Sequence, residues 1–472
     1  MNESLRNKKV LLMGLGILQG GVNTARWLVN QGAQLTVTDL KSERDLASSI
    51  ETLSDIKTQI TWKLDGHNEK DFLDNDIIVV NPDVPLHSPF LQLAIRNGKQ
   101  IENELTLFYK FCPSKDSIAV TGTRGKTTTV NWIAHFLRRS GGNVLLAGNS
   151  PEAPLLNTVG KCDLETRVVI EEPSFLLEHL PNSGLASHVA VITNLYQDHL
   201  NRYKDMEHYA QIKANIFSNQ KPEDYLILNR DNAWTDFFLK LKPRSKILFF
   251  STIKLNAGQN GIYHNLSDDI IYRNGGQEVV VTNTKQFIDA WGQHNLENLL
   301  VSVLVAVISG VPTQKISEAV RTLPQVKFRQ EQVFSRDNLK IYNDTSATSP
   351  DATIAGIERF AGPNRNLVLI TGGTNRNLDF SKLSAVIKQY LPLENVIFLA
   401  GSATEIMQKE LQWSDHTVFE TLEECLVTAI KISKQFVGKT IILFSPASKS
   451  FEKFKNEFDR GEQFNKLVKK LL

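Results

Sequence analysis

Lys126 and Thr127 stand directly after a glycine-containing loop, which itself follows the apolar residues 118–120. Gly122 and Gly125 permit positive φ angles, so the backbone N–H groups of this loop could point at phosphate oxygens. The Lys126 ammonium could then reach a β- or γ-phosphate, and the Thr127 hydroxyl could ligate Mg²⁺. Residue 120 is valine where the full P-loop pattern has glycine, and a plain strand-to-helix turn with an exposed lysine is the alternative. The spacing of Gly, Lys and Thr favours a loop that binds ATP.

Two acidic segments come at the ends of predicted strands. Glu171 follows the apolar residues 168–170, and Asp198-His199 follows the predicted strand 189–193. Ligands of open α/β sheets bind at the carboxyl ends of strands, and Mg²⁺ prefers oxygen ligands. Glu171 is therefore a candidate metal ligand, and His199 is either a second ligand or an ordinary histidine with its polar groups satisfied. The local sequence around Lys213 predicts only a lysine on the solvated surface.

A second glycine turn opens the chain. Gly14 and Gly16 follow the apolar residues 10–13, and Asp39 ends the next predicted strand, 34–38. This order resembles a dinucleotide-binding turn, but Gln19 occupies the position of the third glycine. Because the N-terminus of a helix binds any pyrophosphate, the turn predicts NAD, another diphosphate such as that of a UDP-sugar, or only close packing of a helix on a strand.

Length and composition limit the class of protein. The chain has 472 residues, too many for one compact core, and a formal net charge of +2, which does not indicate binding to nucleic acid or to a membrane surface. The longest apolar stretch, residues 299–308, is too short to cross a bilayer, and residues 1–9 have no signal-peptide core. Cys112, Cys162 and Cys425 show no paired spacing, as expected for reduced thiols in the cytoplasm.

Strands that alternate with helical patterns predict an α/β fold in three domains, each around a mostly parallel sheet. The boundaries are residues 1–113 for a Rossmann-like domain, 114–323 for a central domain like the P-loop ATPases, and 324–472 for a second Rossmann-like domain. Further strands are predicted at 77–80, 225–228, 367–370, 396–399 and 441–444. A long amphipathic helix is predicted over about 295–309.

Three motifs together resemble the Mur ligases over essentially the whole chain. Residues 121–127 match the ATP loop of that family, and residues 171–178 are similar to its Glu-x-Ser-Ser-Phe-Gln-Leu-Glu segment. Residues 198–203 match its metal-histidine motif, which places Lys213 at the family's carbamylated lysine. The resemblance implies Mg²⁺ ligation by Thr127, Glu171, His199 and a carbamate on Lys213, and it implies catalytic roles for Lys126, His199 and Lys213.

The resemblance also implies two further groups of binding residues, one for ATP and one for the UDP-linked acceptor. The residues implied to bind ATP are Gly122, Thr123, Gly125, Lys126, Thr127, Thr128, Asn295, Asn298, Arg329 and Asp344. The residues implied to bind the UDP-linked acceptor are Gly14, Gly16, Asp39, Asn81 and Asn149. The first domain is then a UDP site and not a redox site.

Residues 445–456, with Arg460-Gly461, are similar to the amino-acid signature of the Mur ligases that add D-glutamate. Arg376, Ser450 and the Phe451 N–H fall at positions that the resemblance assigns to the glutamate side-chain carboxylate. The chain departs from the family at Ser346 and Arg376, where lysines are common, and also at Gln197 and Glu457.

The implied activity is ATP-dependent amide ligation, in which D-glutamate is added to UDP-N-acetylmuramoyl-L-alanine through an acyl phosphate. The implied setting is a cytoplasmic monomer with small-molecule substrates and without nucleic-acid or membrane partners. One alternative is a sister ligase that adds L-glutamate or another amino acid. A second alternative is a nucleotide-binding protein that has lost catalysis, against which Lys126, Asp198, His199 and Lys213 all argue.

Overall fold

The computed structural model of this chain describes residues 4–17, 19–148, 153–200, 202–362, 365–375, 378–413 and 416–472. They form two compact units. The first unit runs up to Asp289 and includes Asn295–Leu323, and the second comprises Ala290–His294 and Pro324–Leu472. The division of the first unit at residues 113 and 114 stays a prediction.

The N-terminal sheet of the first unit is parallel. Its strands are β1 (Lys9–Met13), β2 (Gln34–Thr38), β3 (Ile60–Lys63), β4 (Ile77–Val80) and β5 (Gln100–Glu102). The helices are α1 (Gln19–Asn30), α2 (Ala47–Thr52), α3 (Glu69–Asp74), α4 (Pro89–Arg96) and α5 (Glu104–Phe111). The strand order β3-β2-β1-β4-β5 reverses direction between β1 and β4, and ligands of such sheets bind in the crevice at this point.

The central sheet has the order β14-β13-β12-β11-β10-β9-β6-β8-β7. Its strands are β6 (Ser117–Thr121), β7 (Val144–Gly148), β8 (Arg167–Glu171), β9 (Val189–Ile192), β10 (Tyr225–Asn229), β11 (Lys246–Ser251), β12 (Gly261–His264), β13 (Asp269–Asn274) and β14 (Gln277–Asn283). The helices are α6 (Lys126–Arg139), α7 (Leu155–Val159), α8 (Ser174–Leu177), α9 (Met206–Ala214), α10 (Thr235–Lys240), α11 (Lys285–Trp291), α12 (Leu296–Ile308) and α13 (Thr313–Val320). From β12 to β7 the strands are parallel, and β13 and β14 add an antiparallel edge.

The sheet of the second unit has the order β15-β16-β20-β17-β18-β19. Its strands are β15 (Glu331–Arg336), β16 (Leu339–Asn343), β17 (Asn366–Thr371), β18 (Val396–Leu399), β19 (Val418–Phe419) and β20 (Thr440–Phe444). The helices are α14 (Pro350–Phe360), α15 (Ser381–Tyr390), α16 (Ser402–Leu411), α17 (Leu422–Ser433) and α18 (Glu457–Leu471). Only the β15–β16 pair among these strands is antiparallel. The predicted fold class is therefore confirmed: each sheet is mostly parallel.

Helix α12 corrects the prediction of a long amphipathic helix. It spans Leu296–Ile308, and its residues from Leu299 to Ala306 are all buried, because the helix packs between α6 and strands β11 and β12. A helix that is apolar on all sides is a buried core helix and not an amphipathic surface helix.

Within the part of the chain that the structure describes, no helix combines the length and the apolar character needed to cross a bilayer.

One apolar core joins the two sheets of the first unit. Leu105 and Phe108 of α5 lie in the same buried cluster as Leu155 and Leu176 of the central part. Trp27 of α1 also packs edge-on against Phe111, with ring centroids 5.1 Å apart. A close-packed core transmits displacements, so the two sheets of the first unit are coupled through this core.

Candidate active site

The loop between β6 and α6 has a shape that only glycine permits. Gly122 has φ of +145° and Gly125, at the N-cap of α6, has φ of +81°. A Cβ at Gly122 would lie 1.9 Å from Thr193 Oγ1, and one at Gly125 would lie 2.2 Å from Asn298 Oδ1. The loop therefore lies directly against the residues that follow β9 and against the start of α12.

Lys126 and Thr127 are the first two residues of α6, and their side chains bond to different partners. Lys126 Nζ donates to the carbonyls of Gly122 and Thr123, at 2.8 and 3.1 Å, so the ammonium lies across the loop. Thr127 Oγ1 donates to Glu171 Oε2 at 2.7 Å. Thr128, the next residue of α6, is buried. A cation and a pair of hard oxygen atoms thus stand at the N-terminus of a helix, where anions bind favourably.

Loop residues 123 and 124 are fixed by the segment after β9. The Thr123 N–H donates to the Asn194 carbonyl at 3.0 Å, and the Arg124 N–H donates to Asn194 Oδ1 at 2.9 Å. Thr123 Oγ1 in turn accepts from the Tyr196 N–H at 3.0 Å. These bonds set the distance between the glycine loop and the segment that carries Asp198 and His199.

His199 lies in a strained turn. Its φ is +55°, a left-handed conformation that is uncommon for a residue with a side chain. Its Nε2 lies 3.6 Å from Asp198 Oδ2, and both side chains are about half exposed. The imidazole is therefore accessible to a ligand.

Lys213, which the sequence alone would place on the surface, is buried on α9 with 1% of its surface exposed. Its Nζ donates to the Gly122 carbonyl at 2.9 Å and to Thr121 Oγ1 at 3.3 Å, and it lies 4.8 Å from the centre of the Tyr209 ring. Burial, together with the positive charge of Lys126, holds the pKa of Lys213 well below its usual value. Burial and the nearby cation thus favour the unprotonated amine over the ammonium, and the unprotonated amine is the nucleophilic form.

The residues predicted to bind Mg²⁺ fit that ion only in part. The Thr127 hydroxyl and the Glu171 carboxylate are the oxygen ligands that Mg²⁺ prefers. Within the described residues, no group of three His, Cys, Asp or Glu side chains is arranged to hold a metal ion. The amine of Lys213 lacks an oxygen atom, so the remaining ligands would have to be a carbamate, water or phosphate oxygens.

Asn295 and Asn298 stand at the start of α12, beside the glycine loop. Asn298 Nδ2 donates to Asn295 Oδ1 at 3.0 Å, and Asn298 Oδ1 accepts from Thr129 Oγ1 at 3.4 Å. The first unit thus brings these two predicted nucleotide contacts to the loop that carries Lys126.

Arg329 and Asp344 belong to the second unit. Asp344 accepts from the Gln330 N–H at 3.1 Å and from Ser445 Oγ at 2.9 Å. Burial raises the pKa of Asp344 to about 7. The buried carboxyl group of Asp344 is thus held directly after β16, where the charge of Arg329 acts on it.

The first glycine turn is closed by Asp39. The Leu15 and Gly16 N–H groups donate to Asp39 Oδ2 at 2.9 and 3.0 Å, so these two donors are already used within the protein. The Asn81 side chain lies against Gly14, where a Cβ would come 3.0 Å from Asn81 Cβ. Gly14, Gly16, Asp39 and Asn81 therefore meet at the point where the N-terminal sheet changes direction.

The predicted amino-acid site lies partly outside the described residues. Arg376 and the acceptor residue Asn149 are both in the gaps. Ser450 is 2% exposed, and its Oγ has no hydrogen-bond partner within the described part of the chain. The Phe451 side chain is about half exposed. A buried hydroxyl without a partner is costly, which favours a ligand that completes it.

Two polar pairs stand beside the site and were given no role from the sequence. Burial raises the pKa of Glu172 to about 8, and its carboxyl group accepts from the Tyr109 hydroxyl at 2.6 Å. Arg202 donates from Nε and Nη2 to the two carboxylate oxygens of Glu178, both at 2.7 Å. Glu178 ends the motif 171–178 and Arg202 lies in the motif 198–203, so both residues could have been selected from the sequence. Their spacing in the sequence does not show that they form an ion pair.

Two family models and the full-length relatives all point to the same family of proteins. Residues 120–306 match the Mur ligase middle domain, and residues 8–103 match the MurD-like N-terminal domain of the Mur ligases. The chain is 35% identical to the UDP-N-acetylmuramoylalanine--D-glutamate ligase of Roseiflexus sp. (strain RS-1), over 98% of this chain and 99% of that protein. It is 34% identical to the ligase of the same name from Borreliella afzelii (strain PKo), over 99% of this chain and 98% of that one.

The fold is also similar to a solved structure. A crystal structure of MurF from Acinetobacter baumannii aligns with a TM-score of 0.59 and 16% identity, covering 100% of this chain and 92% of that one. At this level of identity the likeness concerns the fold alone.

Proposed function

Since the chain belongs to the Mur ligase family, we propose that it is an ATP-dependent ligase that joins D-glutamate to UDP-N-acetylmuramoyl-L-alanine in peptidoglycan precursor synthesis. The relatives that carry this activity in their names align with nearly the whole chain. The observation that carries the proposal is the meeting of Lys126, Thr127, Glu171 and the buried Lys213 at one end of the central sheet.

The first step is activation of the acceptor. A carboxylate oxygen of UDP-N-acetylmuramoyl-L-alanine attacks the γ-phosphorus of ATP, the bond to the bridging oxygen breaks, and ADP leaves. Lys126 would exchange its carbonyl partners for γ-phosphate oxygens and offset the charge that develops there. The product is an acyl phosphate, in which phosphate replaces a poor leaving group.

Lys213 would act as its carbamate. The unprotonated amine would attack the carbon of CO₂: a C–N bond forms, one C=O π bond breaks and leaves its electron pair on oxygen, and the nitrogen loses a proton to solvent. An anion with two oxygen atoms then replaces the amine. Thr127, Glu171, His199 and the carbamate would then hold Mg²⁺, which when bound offsets phosphate charge. The support for this assignment is the depressed pKa of Lys213 and its place behind the glycine loop.

The second step forms the amide bond. The glutamate amine attacks the acyl carbon, a tetrahedral intermediate forms, the nitrogen loses a proton, and phosphate leaves with the electrons of the broken C–O bond. Arg376, Ser450 and the Phe451 N–H would hold the side-chain carboxylate of glutamate, and the unpartnered Ser450 hydroxyl supports this role.

The remaining assignments concern binding. We assign ATP to the loop residues Gly122, Thr123, Gly125 and Thr128 together with Asn295, Asn298, Arg329 and Asp344. We assign the UDP-linked acceptor to Gly14, Gly16, Asp39, Asn81 and Asn149. A cytoplasmic monomer without nucleic-acid or membrane partners is part of the same proposal.

The test is phosphate release from ATP with UDP-N-acetylmuramoyl-L-alanine, with and without an added amino acid. D-Glutamate should give the fastest turnover in a panel with L-glutamate, D-aspartate, L-lysine and meso-diaminopimelate. Lys126→Ala is the inactive control, because the γ-phosphate loses its cationic partner. Faster turnover with L-glutamate or a diamino acid would contradict the specificity, and phosphate release by Lys126→Ala at the wild-type rate would contradict the loop assignment.

A further inference from the structure

We infer that Arg202 is a positioning residue that sets the distance between the turn carrying His199 and the acceptor-side loop after β4. The inference rests on the proposed function, because it concerns how the acceptor carboxylate is brought to the ATP loop. We call the bonds that Arg202 makes between these two segments the Arg202 link. Both segments lie in the first compact unit.

The first part of the link is a buried ion pair. The Glu178 side chain is 2% exposed and that of Arg202 is 22% exposed. The guanidinium grips both carboxylate oxygens, and the Tyr203 hydroxyl donates a further bond to Glu178 Oε1 at 3.0 Å. A planar two-point grip fixes the orientation of the guanidinium, which a lysine ammonium cannot reproduce.

The third nitrogen of the same guanidinium reaches the N-terminal sheet. Arg202 Nη1 donates to the Pro82 carbonyl at 2.6 Å. Pro82 follows Asn81, whose side chain lies against Gly14 and whose N–H donates to the Met13 carbonyl at 3.0 Å. One side chain thus holds the loop that supports the first glycine turn.

The backbone of Arg202 forms the turn that carries His199. The Arg202 and Tyr203 N–H groups both donate to the His199 carbonyl, at 2.9 and 3.0 Å. The strained φ of His199 is therefore held from the C-terminal side by the residue that also bonds Pro82.

This arrangement has a consequence for the reaction. An acceptor bound on the loop after β4 must present its carboxylate at the γ-phosphate, and a displacement of about 1 Å can lower a rate by about a hundredfold. In the proposed function ATP contacts the glycine loop, the start of α12, Arg329 and Asp344, and none of these residues takes part in the bond between Arg202 and Pro82. Loss of the link should therefore affect the acceptor and the chemical step but not ATP binding.

The test compares Arg202→Lys with the matched control Arg26→Lys. Arg26 also grips a carboxylate with two nitrogens, bonding Asp55 at 2.5 and 2.9 Å and the Thr52 carbonyl at 2.6 Å, and these partners lie in or just after α2 and in neither loop. In Arg202→Lys we expect KM for the UDP-linked acceptor to rise and kcat to fall, each by about tenfold or more, with KM for ATP within about twofold. Arg26→Lys should match the wild type in all three constants.

Hydrogen exchange gives a second readout that needs no activity. The Asn81 and Val84 amides are both hydrogen-bonded, to Met13 and to Asn81, each at 3.0 Å. In Arg202→Lys they should exchange about tenfold faster, because the loop opens more often, while Arg26→Lys leaves them unchanged. If Arg202→Lys fails to fold, Glu178→Gln replaces it, since that change keeps Arg202 but weakens the grip on its guanidinium.

The outcomes separate the inference from the proposed function. Wild-type kinetic constants in the variant, or an equal rise in KM for ATP, would overturn the positioning role. A wild-type enzyme that releases no phosphate with the UDP-linked acceptor would defeat the proposed function, and the positioning role with it. Exchange at residues 81–84 would then still decide whether Arg202 holds the loop.

Discussion

Two lysines share one backbone acceptor, since Lys126 and Lys213 both donate to the Gly122 carbonyl, at 2.8 and 2.9 Å. Two ammonium groups this close repel each other, and this repulsion adds to burial in lowering the pKa of Lys213. We predict that Lys213→Ala lowers phosphate release by about a hundredfold or more, because the carbamate oxygens are lost. Added short-chain carboxylic acids should restore part of the rate.

The control for this variant is Lys221→Ala, which removes an exposed lysine and should retain the wild-type rate with and without the acids. The measurement is phosphate release across a series of acetate and propionate concentrations. Full activity of Lys213→Ala without any added acid would exclude the carbamate role.

The raised pKa of Glu172 leads us to predict how the free energy of unfolding depends on pH. Its pKa is raised from 4.5 to about 8 by burial, so the folded protein binds this proton more tightly than the unfolded chain does. Stability should therefore fall as the pH rises from about 4.5 to about 8, at up to about 1.4 kcal/mol per pH unit. Glu172→Gln keeps an acceptor for the Tyr109 hydroxyl but does not titrate, so its stability should depend less on pH in that range.

Thermal or urea unfolding at several pH values measures this effect. The exposed Glu43→Gln is the control and should keep the wild-type pH dependence. If Glu172→Gln and the wild type lost stability in parallel between about pH 5 and pH 8, the carboxyl group would not be protonated in the folded protein.

At the level of elements, the β6–α6 loop depends on two glycines that the fold encloses. We predict that Gly122→Ala abolishes ATP-dependent turnover, because the new Cβ would overlap Thr193 Oγ1 and the backbone has φ of +145°. Gly160→Ala is the matched control, since φ there is −71° and no atom lies within 4 Å of the new Cβ. Activity of Gly122→Ala close to that of Gly160→Ala would show that the loop tolerates a different path.

The buried parallel strands could be predicted from the sequence. The predicted ranges 34–38, 77–80 and 396–399 coincide with β2, β4 and β18, because short apolar runs between turn residues are typical of strands covered on both faces. The antiparallel strands β13 to β15 were not predicted. They contain charged and half-exposed residues, and their pairing depends on neighbours that local pattern does not show.

The contact of Thr127 with Glu171 could be predicted, because each of the two motifs comes at the carboxyl end of a strand and the strands β6 and β8 are adjacent and parallel. Contacts between segments that are far apart in the sequence could not be predicted. The bond of Arg202 to Pro82 spans 120 residues, and the burial of Lys213 follows from the packing of α9 and not from its local sequence. The two bonds from the glycine turn to Asp39 likewise depend on how β1 and β2 pair.

For the whole molecule, Lys126 belongs to the first compact unit and Ser450 belongs to the second. We predict that Arg376→Ala raises KM for D-glutamate by about tenfold or more, because a carboxylate loses a charged two-point partner. KM for ATP should change by less than about twofold. Steady-state kinetics with each substrate varied in turn measures both, with the exposed Arg336→Ala as control. Equal rises in both constants would refute a role confined to glutamate.

The left-handed turn at His199 has a consequence for the evolution of this protein. A side-chain-bearing residue at φ of +55° costs about 1 kcal/mol or more, and glycine or asparagine would relieve that cost. A population selected only for heat resistance should therefore accumulate glycine or asparagine at position 199 and lose its ligase. A population that must also build its cell wall should keep the histidine and gain its heat resistance at other positions.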